Sequence, residues 1–249
     1  MDTAERFVRL ILERGALRFG RFTLKSGRES PYFFNLATLD RGSDLATLGE
    51  LYAESLLAAG LDFDLLFGAA YKGIPLVSAA AVALARRHDR DVPWCFNRKE
   101  VKDHGEGGVL VGADPRGKRV VVIDDVLTAG TAAAQALALL RAHGAQPVGF
   151  IVALDREERA TEENPLSALR LLERREDLAT HALAHLSDVL RVLARDPSRR
   201  EERRALEDYR RRYGALNPPT GPGAPDPRER DVRQEGSLWT SSRLGSHQD

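Results

Sequence analysis

The run Val120-Val-Val-Ile-Asp-Asp-Val-Leu-Thr-Ala-Gly-Thr-Ala132 carries the strongest pattern in this 249-residue chain. Four consecutive apolar residues, Val120 to Ile123, suit a strand buried on both faces of a parallel sheet. Asp124 and Asp125 close it, and the loop from Leu127 to Thr131 leads into an alanine- and leucine-rich helix over Thr131 to His143. Such a loop presents successive backbone N–H groups at a helix amino terminus, where the macrodipole favours an anion. Gly130 lets the backbone approach closely, and Thr128 and Thr131 add hydroxyl donors. A helix cap by Asp125 or Thr128 is the simpler structural alternative, but two adjacent carboxylates at a strand end would be odd as structure alone. The loop lacks the Gly-Lys-Ser or Gly-Lys-Thr of a P-loop, and its glycine spacing is not that of a dinucleotide site.

Outward from this run the same βα rhythm recurs. Asp64-Leu-Leu-Phe-Gly68 reads as a short buried strand, Ile74 to Arg86 as a helix and Val92 to Asn97 as a second strand. Arg119 to Ile123 is then the third and Pro147 to Leu154 the fourth. Right-handed connections gather the strand carboxyl ends on one sheet edge, where ligands bind. Upstream, Asp2 can cap a helix with Glu5 three residues on and Phe7, Leu10 and Ile11 as its stripe, stopped by Gly15. A second helix starts at Ser43 or Asp44, turns Leu45, Leu48, Leu51, Tyr52 and Leu56 inward, and ends before Gly60. The aromatic segment Phe19 to Phe34 between them reads, on its residues alone, as a hairpin covering a core edge. Helices over Pro165 to Arg174, Val189 to Leu193 and Arg200 to Tyr213, with an apolar stretch around Ala182 to Leu186, complete the same domain.

The expected fold class is therefore α/β, a central and mainly parallel sheet flanked by helices. The domain covers residues 1–215, and residues 216–249 form a tail of proline, glycine and charge. That tail has too few large apolar residues to offset its ordering entropy and reads as disordered.

At 43% hydrophobic content the chain can bury one full core. Lys+Arg and Asp+Glu both total 37, so no overall field draws it to nucleic acid or an anionic membrane, and any anion site is local. The single cysteine, Cys95, excludes an internal disulfide framework and a Cys-rich zinc site and fits a reducing compartment. It reads as a small hydrophobe in a strand. The amino terminus lacks a basic-then-apolar pattern and no apolar run is long enough to span a bilayer, which predicts a cytoplasmic protein. His181 and His185 have no third ligand near them in sequence and read as strand-edge residues rather than a metal pair. Arg199 to Arg204 reads as a solvated helix face with intrahelical ion pairs.

Three further segments carry candidate chemistry. In Phe96-Asn-Arg-Lys-Glu-Val-Lys-Asp-His-Gly-Glu-Gly-Gly108 a strand runs into a basic and then glycine-rich loop. Arg98, Lys99, Lys102 and His104 alone would be a solvated charge run, but Gly105, Gly107 and Gly108 make a hinge that could close those cations over a bound anion. Gly68-Ala-Ala-Tyr-Lys-Gly-Ile-Pro75 is a strand-to-helix turn containing a lysine. Leu154-Asp-Arg-Glu-Glu-Arg159 places Arg156 at the end of the fourth strand, beside the 127–131 loop, and a guanidinium fork suits a carboxylate.

Together these motifs resemble the type I phosphoribosyltransferases, and among them the orotate phosphoribosyltransferases. The run 120–132 resembles their motif for phosphoribosyl pyrophosphate (PRPP). The resemblance implies that Val126, Leu127, Thr128, Ala129, Gly130, Thr131 and Ala132 cradle PRPP. Asp124 and Asp125 then hold its ribose and, through water, a Mg²⁺ ion with no direct protein ligand. Phe22 to Asn35 resembles the family's hood, roughly residues 1–40 with carboxyl-terminal elements, in which Lys25 points into the site and Phe33 and Phe34 flank the base. The turn 68–75 resembles the pyrophosphate loop, where Tyr71 and Lys72 contact PRPP and a non-proline cis peptide often occurs. The segment 96–108 resembles a mobile loop that reaches across a homodimer, so that Arg98, Lys99, Lys102 and His104 serve the neighbour's site. Thr128 and Arg156, with Lys25, Phe33 and Phe34, would bind orotate.

The implied reaction is Mg²⁺-dependent transfer of the phosphoribosyl group to orotate, giving orotidine 5′-phosphate and pyrophosphate in pyrimidine (UMP) synthesis. Lys25, Lys72, Lys102, Asp124 and Asp125 form the implied catalytic set. The implied partners are two small molecules and a second copy of the chain, with neither nucleic acid nor membrane. The resemblance runs from the first helix to about Tyr213 and gives the tail no role.

Overall fold

The computed structural model describes residues 2–24, 27–102, 108–127, 130–162 and 164–216, with the backbone alone over 99–102. Lys25, His104, Thr128, Ala129 and the tail from 217 lie outside the described residues. The chain divides into units Met1–Ala215 and Leu216–Asp249, and the architecture here is that of the first.

In chain order the elements are α1 (Thr3–Glu13), β1 (Leu17–Thr23), β2 (Glu29–Phe34), α2 (Gly42–Ala58), β3 (Leu65–Gly68), α3 (Gly73–His88), β4 (Trp94–Lys102) and β5 (Gly108–Gly112). There follow β6 (Arg119–Val126), α4 (Thr131–Ala142), β7 (Gln146–Asp155), α5 (Ala168–Glu176), β8 (Ala179–His185), α6 (Leu186–Leu193) and α7 (Arg200–Tyr213). Six strands form one sheet in the order β5-β4-β3-β6-β7-β8, parallel except for β5. β1 and β2 make a separate antiparallel hairpin. The fold class expected from the sequence is the one observed.

Every residue of β3 is buried, as is the run Val120 to Ile123, because each face of the sheet meets helices. Val121 and Ile123 point into a core shared with α1, α2, α3, α6 and α7, while Val120 and Val122 point into a second core under α4 and α5. The period of two along one strand thus feeds both layers. Arg119 anchors the start of β6 beside β3: its Nη2 lies 2.7 Å from Asp64 Oδ1 and its Nη1 pairs with Asp62. No helix among the described residues is long and apolar enough to cross a membrane.

Several boundaries differ from the sequence reading. The basic stretch through Lys102 is the extension of β4 rather than a loop, because β5 pairs with it antiparallel, Asn97 opposite Leu110 and Lys102 opposite Gly108. The apolar stretch near Ala182 is a full parallel strand, β8, paired along β7. α5 begins at Ala168, because the Ser167 hydroxyl accepts from the Arg170 N–H at 3.3 Å and sets the start. Asp44 does not cap α2; buried in its first turn, it accepts from Arg14 Nε at 2.8 Å. At α1 the expected cap is present, with Asp2 Oδ1 accepting from the Glu5 N–H at 2.7 Å.

Candidate active site

The strand order puts a topological switch point between β3 and β6. From β3 the chain crosses through α3 to β4 on one side, and from β6 it crosses through α4 to β7 on the other. The loops leaving β3 and β6 therefore flank one crevice at the carboxyl edge, although more than fifty residues separate them in sequence.

The loop after β3 is held by close packing. A Cβ on Gly68 would meet the Gly73 carbonyl carbon and Val77 Cγ1 at 2.7 Å, so only glycine lets β3 and α3 approach this closely. The Ala70–Tyr71 peptide is cis, as the resemblance implied, and the Ala70 N–H donates to Asn97 Oδ1 of β4 at 2.9 Å. Tyr71 is exposed. Lys72 ends the loop with its Nζ 2.5 Å from Asp125 Oδ2. Its side chain is 59% exposed against 6% for Asp125, so the pair contributes no more than about 1 kcal/mol. A charge-assisted hydrogen bond to an incoming phosphate is worth about 1.5–3 kcal/mol, enough to draw Lys72 away from that partner.

Asp124 and Asp125 stand side by side at the end of β6, close enough for each carboxyl to feel the other. Asp124 Oδ1 accepts from the Asp125 N–H at 2.9 Å, and Asp125 Oδ1 from the Val126 N–H at 2.9 Å. Burial, reinforced by the neighbouring Asp125 charge, pushes the Asp124 carboxyl up to about 6. The buried Tyr52 hydroxyl of α2 donates to the Asp124 carbonyl at 2.8 Å and braces the strand end from below. Val126 and Leu127 are half-buried. α4 opens at Gly130, whose φ of +76° suits glycine; the Asp125 carboxylate is engaged by Lys72 and the Val126 N–H rather than by the helix, and the cap considered at Thr128 lies outside the described residues. The first helical residues, Thr131 and Ala132, are exposed. Lys72, the helix amino terminus at Gly130 and two adjacent carboxylates can together hold a polyanion that brings hydroxyl groups or a cation of its own.

On the hood side Phe33 is exposed and packs against Phe22, ring centroids 5.5 Å apart, with Arg18 5.9 Å above it. Phe34 turns the other way and meets Phe7 of the core edge-on at 6.4 Å. Adjacent strand residues alternate faces, so the hairpin does not bring both phenylalanines to one surface. Arg156 follows β7, two residues beyond Leu154, which pairs with Val126, and so stands at the foot of the β6 loop. Its guanidinium is largely buried and engaged by Tyr32 and Glu158. Arg98 lies on β4 with Nη1 donating to the Gly108 carbonyl at 3.3 Å, and Lys99 and Lys102 share that strand.

Two titratable residues outside the crevice are structural, Cys95 and His185. Burial pushes the Cys95 thiol up to about 12, which leaves it a small hydrophobe. The His185 ring lies 3.4 Å from Asp155, and this hydrogen bond raises its pKa. No group of three or more His, Cys, Asp or Glu among the described residues could hold a metal ion. Sequence reasoning placed Tyr52 on an inward stripe but gave it no site role. It missed Asn97, Tyr32 and Glu158, whose contacts span 27 to 126 residues and leave no local signal.

A model of the phosphoribosyl transferase domain matches residues 41–173. The orotate phosphoribosyltransferase of Pseudomonas aeruginosa is 53% identical over 208 residues, covering 84% of this chain and 96% of that protein. That of Thioalkalivibrio sulfidiphilus is 52% identical over the same shares. Among solved structures, the orotate phosphoribosyltransferase of Francisella tularensis superposes with a TM-score of 0.76 at 37% identity, over 84% of this chain and all of that one. With the strand order and these likenesses in agreement, the chain belongs to the family of orotate phosphoribosyltransferases, enzymes that transfer a pentosyl group.

Proposed function

We propose that this chain transfers the 5-phosphoribosyl group of PRPP to orotate, releasing pyrophosphate and giving orotidine 5′-phosphate, as a Mg²⁺-dependent step of pyrimidine nucleotide synthesis in the cytoplasm. The observation that carries the reading is the meeting of Lys72 with Asp125 at the β3/β6 switch point, beside the start of α4 at Gly130. In the reaction the bond from the anomeric carbon to the pyrophosphate oxygen breaks, with its electron pair leaving on pyrophosphate. A ring nitrogen of orotate bonds to that carbon from the opposite face, and its proton leaves with the basic pyrophosphate. Negative charge grows on the leaving group, so Lys72 on this crevice, with Lys102 and its basic neighbours on the β4 extension of a second copy, stabilises it. The backbone of 126–132 holds the sugar phosphate, and Asp124 and Asp125 accept from ribose hydroxyls and fix the reacting carbon. Lys25, Thr128 and Arg156 orient the base through its carboxylate and polar edge, with the Phe33 face of the hood beside it.

The chain offers no cage for a divalent ion among the described residues, yet two adjacent carboxylates with Lys72 as the partner of one of them suit an ion carried in by the pyrophosphate and held through water. When bound, Mg²⁺ supplies charge neutralisation on the departing pyrophosphate. The same reading has the protein act as a homodimer, with Arg98, Lys99, Lys102 and His104 completing the neighbour's site. A cleft of about 720 Å³ between α2 and α3, lined by Leu45, Pro75, Ala79 and Val82, supports it, since Pro75 adjoins the Lys72 loop and Val82 is 58% exposed.

The test follows loss of orotate absorbance with PRPP and Mg²⁺, with Lys102→Ala as control and adenine, hypoxanthine and uracil as competing bases. Consumption of orotate alone, abolished without Mg²⁺ and in the variant, is expected. Preferential turnover of another base, or none with orotate, would refute the proposal.

A further inference from the structure

Arg156 is oriented by residues that the reaction itself does not involve. Tyr32 of β2 is fully buried, and its hydroxyl accepts from Arg156 Nε at 3.0 Å while donating to Glu158 Oε1 at 3.1 Å. Its ring lies beneath the guanidinium, 5.1 Å from centroid to Cζ. Glu158 Oε1 also lies 2.6 Å from Arg156 Nη2, an ion contact without hydrogen-bond alignment, so that Nη2 has no hydrogen-bond partner among the described residues. Behind this group Tyr209 of α7 stands edge-on to Tyr32, centroids 5.9 Å apart at 89°. Arg28, just before β2, donates to the Arg159 carbonyl at 3.1 Å and lies over the Tyr213 ring at 5.3 Å. The carboxyl end of α7 is stitched to the same segment, with the Arg159 N–H donating to the Tyr213 carbonyl at 2.9 Å and the Ala215 N–H to the Glu157 carbonyl at 2.8 Å.

A guanidinium has five N–H donors in one plane, so fixing Nε and the ring face fixes where the other four point. Tyr32 supplies both restraints at once. Because its ring is packed on all sides, its hydroxyl cannot follow Arg156 if the arginine swings. Glu158 balances the arginine charge, so the site discriminates by the direction of its remaining donors rather than by attracting any anion. We propose that Tyr32, together with Glu158, is a positioning residue for base selection: it sets the plane of the Arg156 fork before orotate arrives, and α7 braces it through Tyr209. This rests on the assignment of Arg156 to the orotate carboxylate.

The experiment compares Tyr32→Phe, Glu158→Gln, Arg156→Ala and the double variant Tyr32→Phe/Arg156→Ala, with orotate and PRPP varied separately and the thermal midpoint of each recorded. Tyr32→Phe keeps the buried ring and removes the hydroxyl. It should raise the orotate KM about tenfold, the loss of one hydrogen bond to a charged group, with the PRPP KM changed by less than about twofold. Glu158→Gln keeps an acceptor for Tyr32 and should raise the orotate KM less. In the Arg156→Ala background Tyr32→Phe should add nothing, since its effect passes through the arginine. An orotate KM unmoved by Tyr32→Phe, equal rises for both substrates, or additive losses in the double variant would overturn the proposal while leaving Arg156 in place. An orotate KM unmoved by Arg156→Ala would instead remove the assignment beneath it. Should Tyr32→Phe fold poorly, Glu158→Gln and its double variant with Arg156→Ala carry the same comparison.

Discussion

Asp124 is a residue kept at a cost to the empty protein. Its carboxyl titrates near 6 in the folded chain against an ordinary value of 3.8, so the folded state binds the proton more tightly than the unfolded one. Stability then falls as pH rises through the interval from about 4 to about 6, the reverse of an ion-paired carboxylate, and the deficit above it is about 3 kcal/mol. Asp124→Asn keeps the acceptor for the Asp125 N–H and removes the charge. The unliganded variant should resist urea better near neutral pH and show a shallower pH slope, while its PRPP affinity falls by about tenfold or more. Urea titrations at several pH values and PRPP binding by calorimetry read both effects, and equal stability of the two proteins at neutral pH would contradict the account. Residues of this kind were legible in sequence because their types are odd where they stand: two acids at a strand end, a lysine in a tight turn. Tyr32 and Glu158 were not, because an aromatic in a hairpin and an acid in a charged turn are ordinary until the fold sets them on one arginine.

At the scale of elements, the contact between β3 and α3 decides where Lys72 stands. Gly68→Ala would drive a methyl into the backbone of Gly73, and α3 must move off the strand to accept it. Overpacking of this kind costs about 1–3 kcal/mol, several degrees in thermal midpoint, and should raise the PRPP KM as Lys72 and the 69–72 loop shift. A melting curve with PRPP kinetics measures it, and a wild-type midpoint would show that the contact yields more easily than its geometry says. Strands whose two faces are both apolar, β3, β6 and β7, were read from the sequence to within a few residues. β8 was seen only as an apolar stretch, since the alternation in Ala179-Thr-His-Ala-Leu-Ala-His185 is of small residues and histidines that carry little hydrophobic signal. β5 escaped because Gly-Val-Leu-Val-Gly is short and its partner strand is written in charged residues.

For the whole molecule, the sequence called for a parallel sheet but could not order its strands, and the crevice exists only because β6 lies beside β3 rather than beyond β4. The P. aeruginosa relative is covered to 96% of its length by 208 residues of this chain, so that relative has no room for a segment like 217–249. A chain ending at Leu216 should therefore keep kcat and both KM values within about twofold of the full chain, the range of a change remote from any site. A larger loss in steady-state assays would give the tail a part in catalysis. The join between α7 and the Glu157–Arg159 segment also orders events in time. A chain leaving the ribosome amino terminus first exposes β3, α3, β6 and α4 while α7 is still being made. On the proposed function, the residues that would grip the sugar phosphate are made early, whereas the brace behind Tyr32, and with it the setting of the Arg156 fork, waits for the last helix.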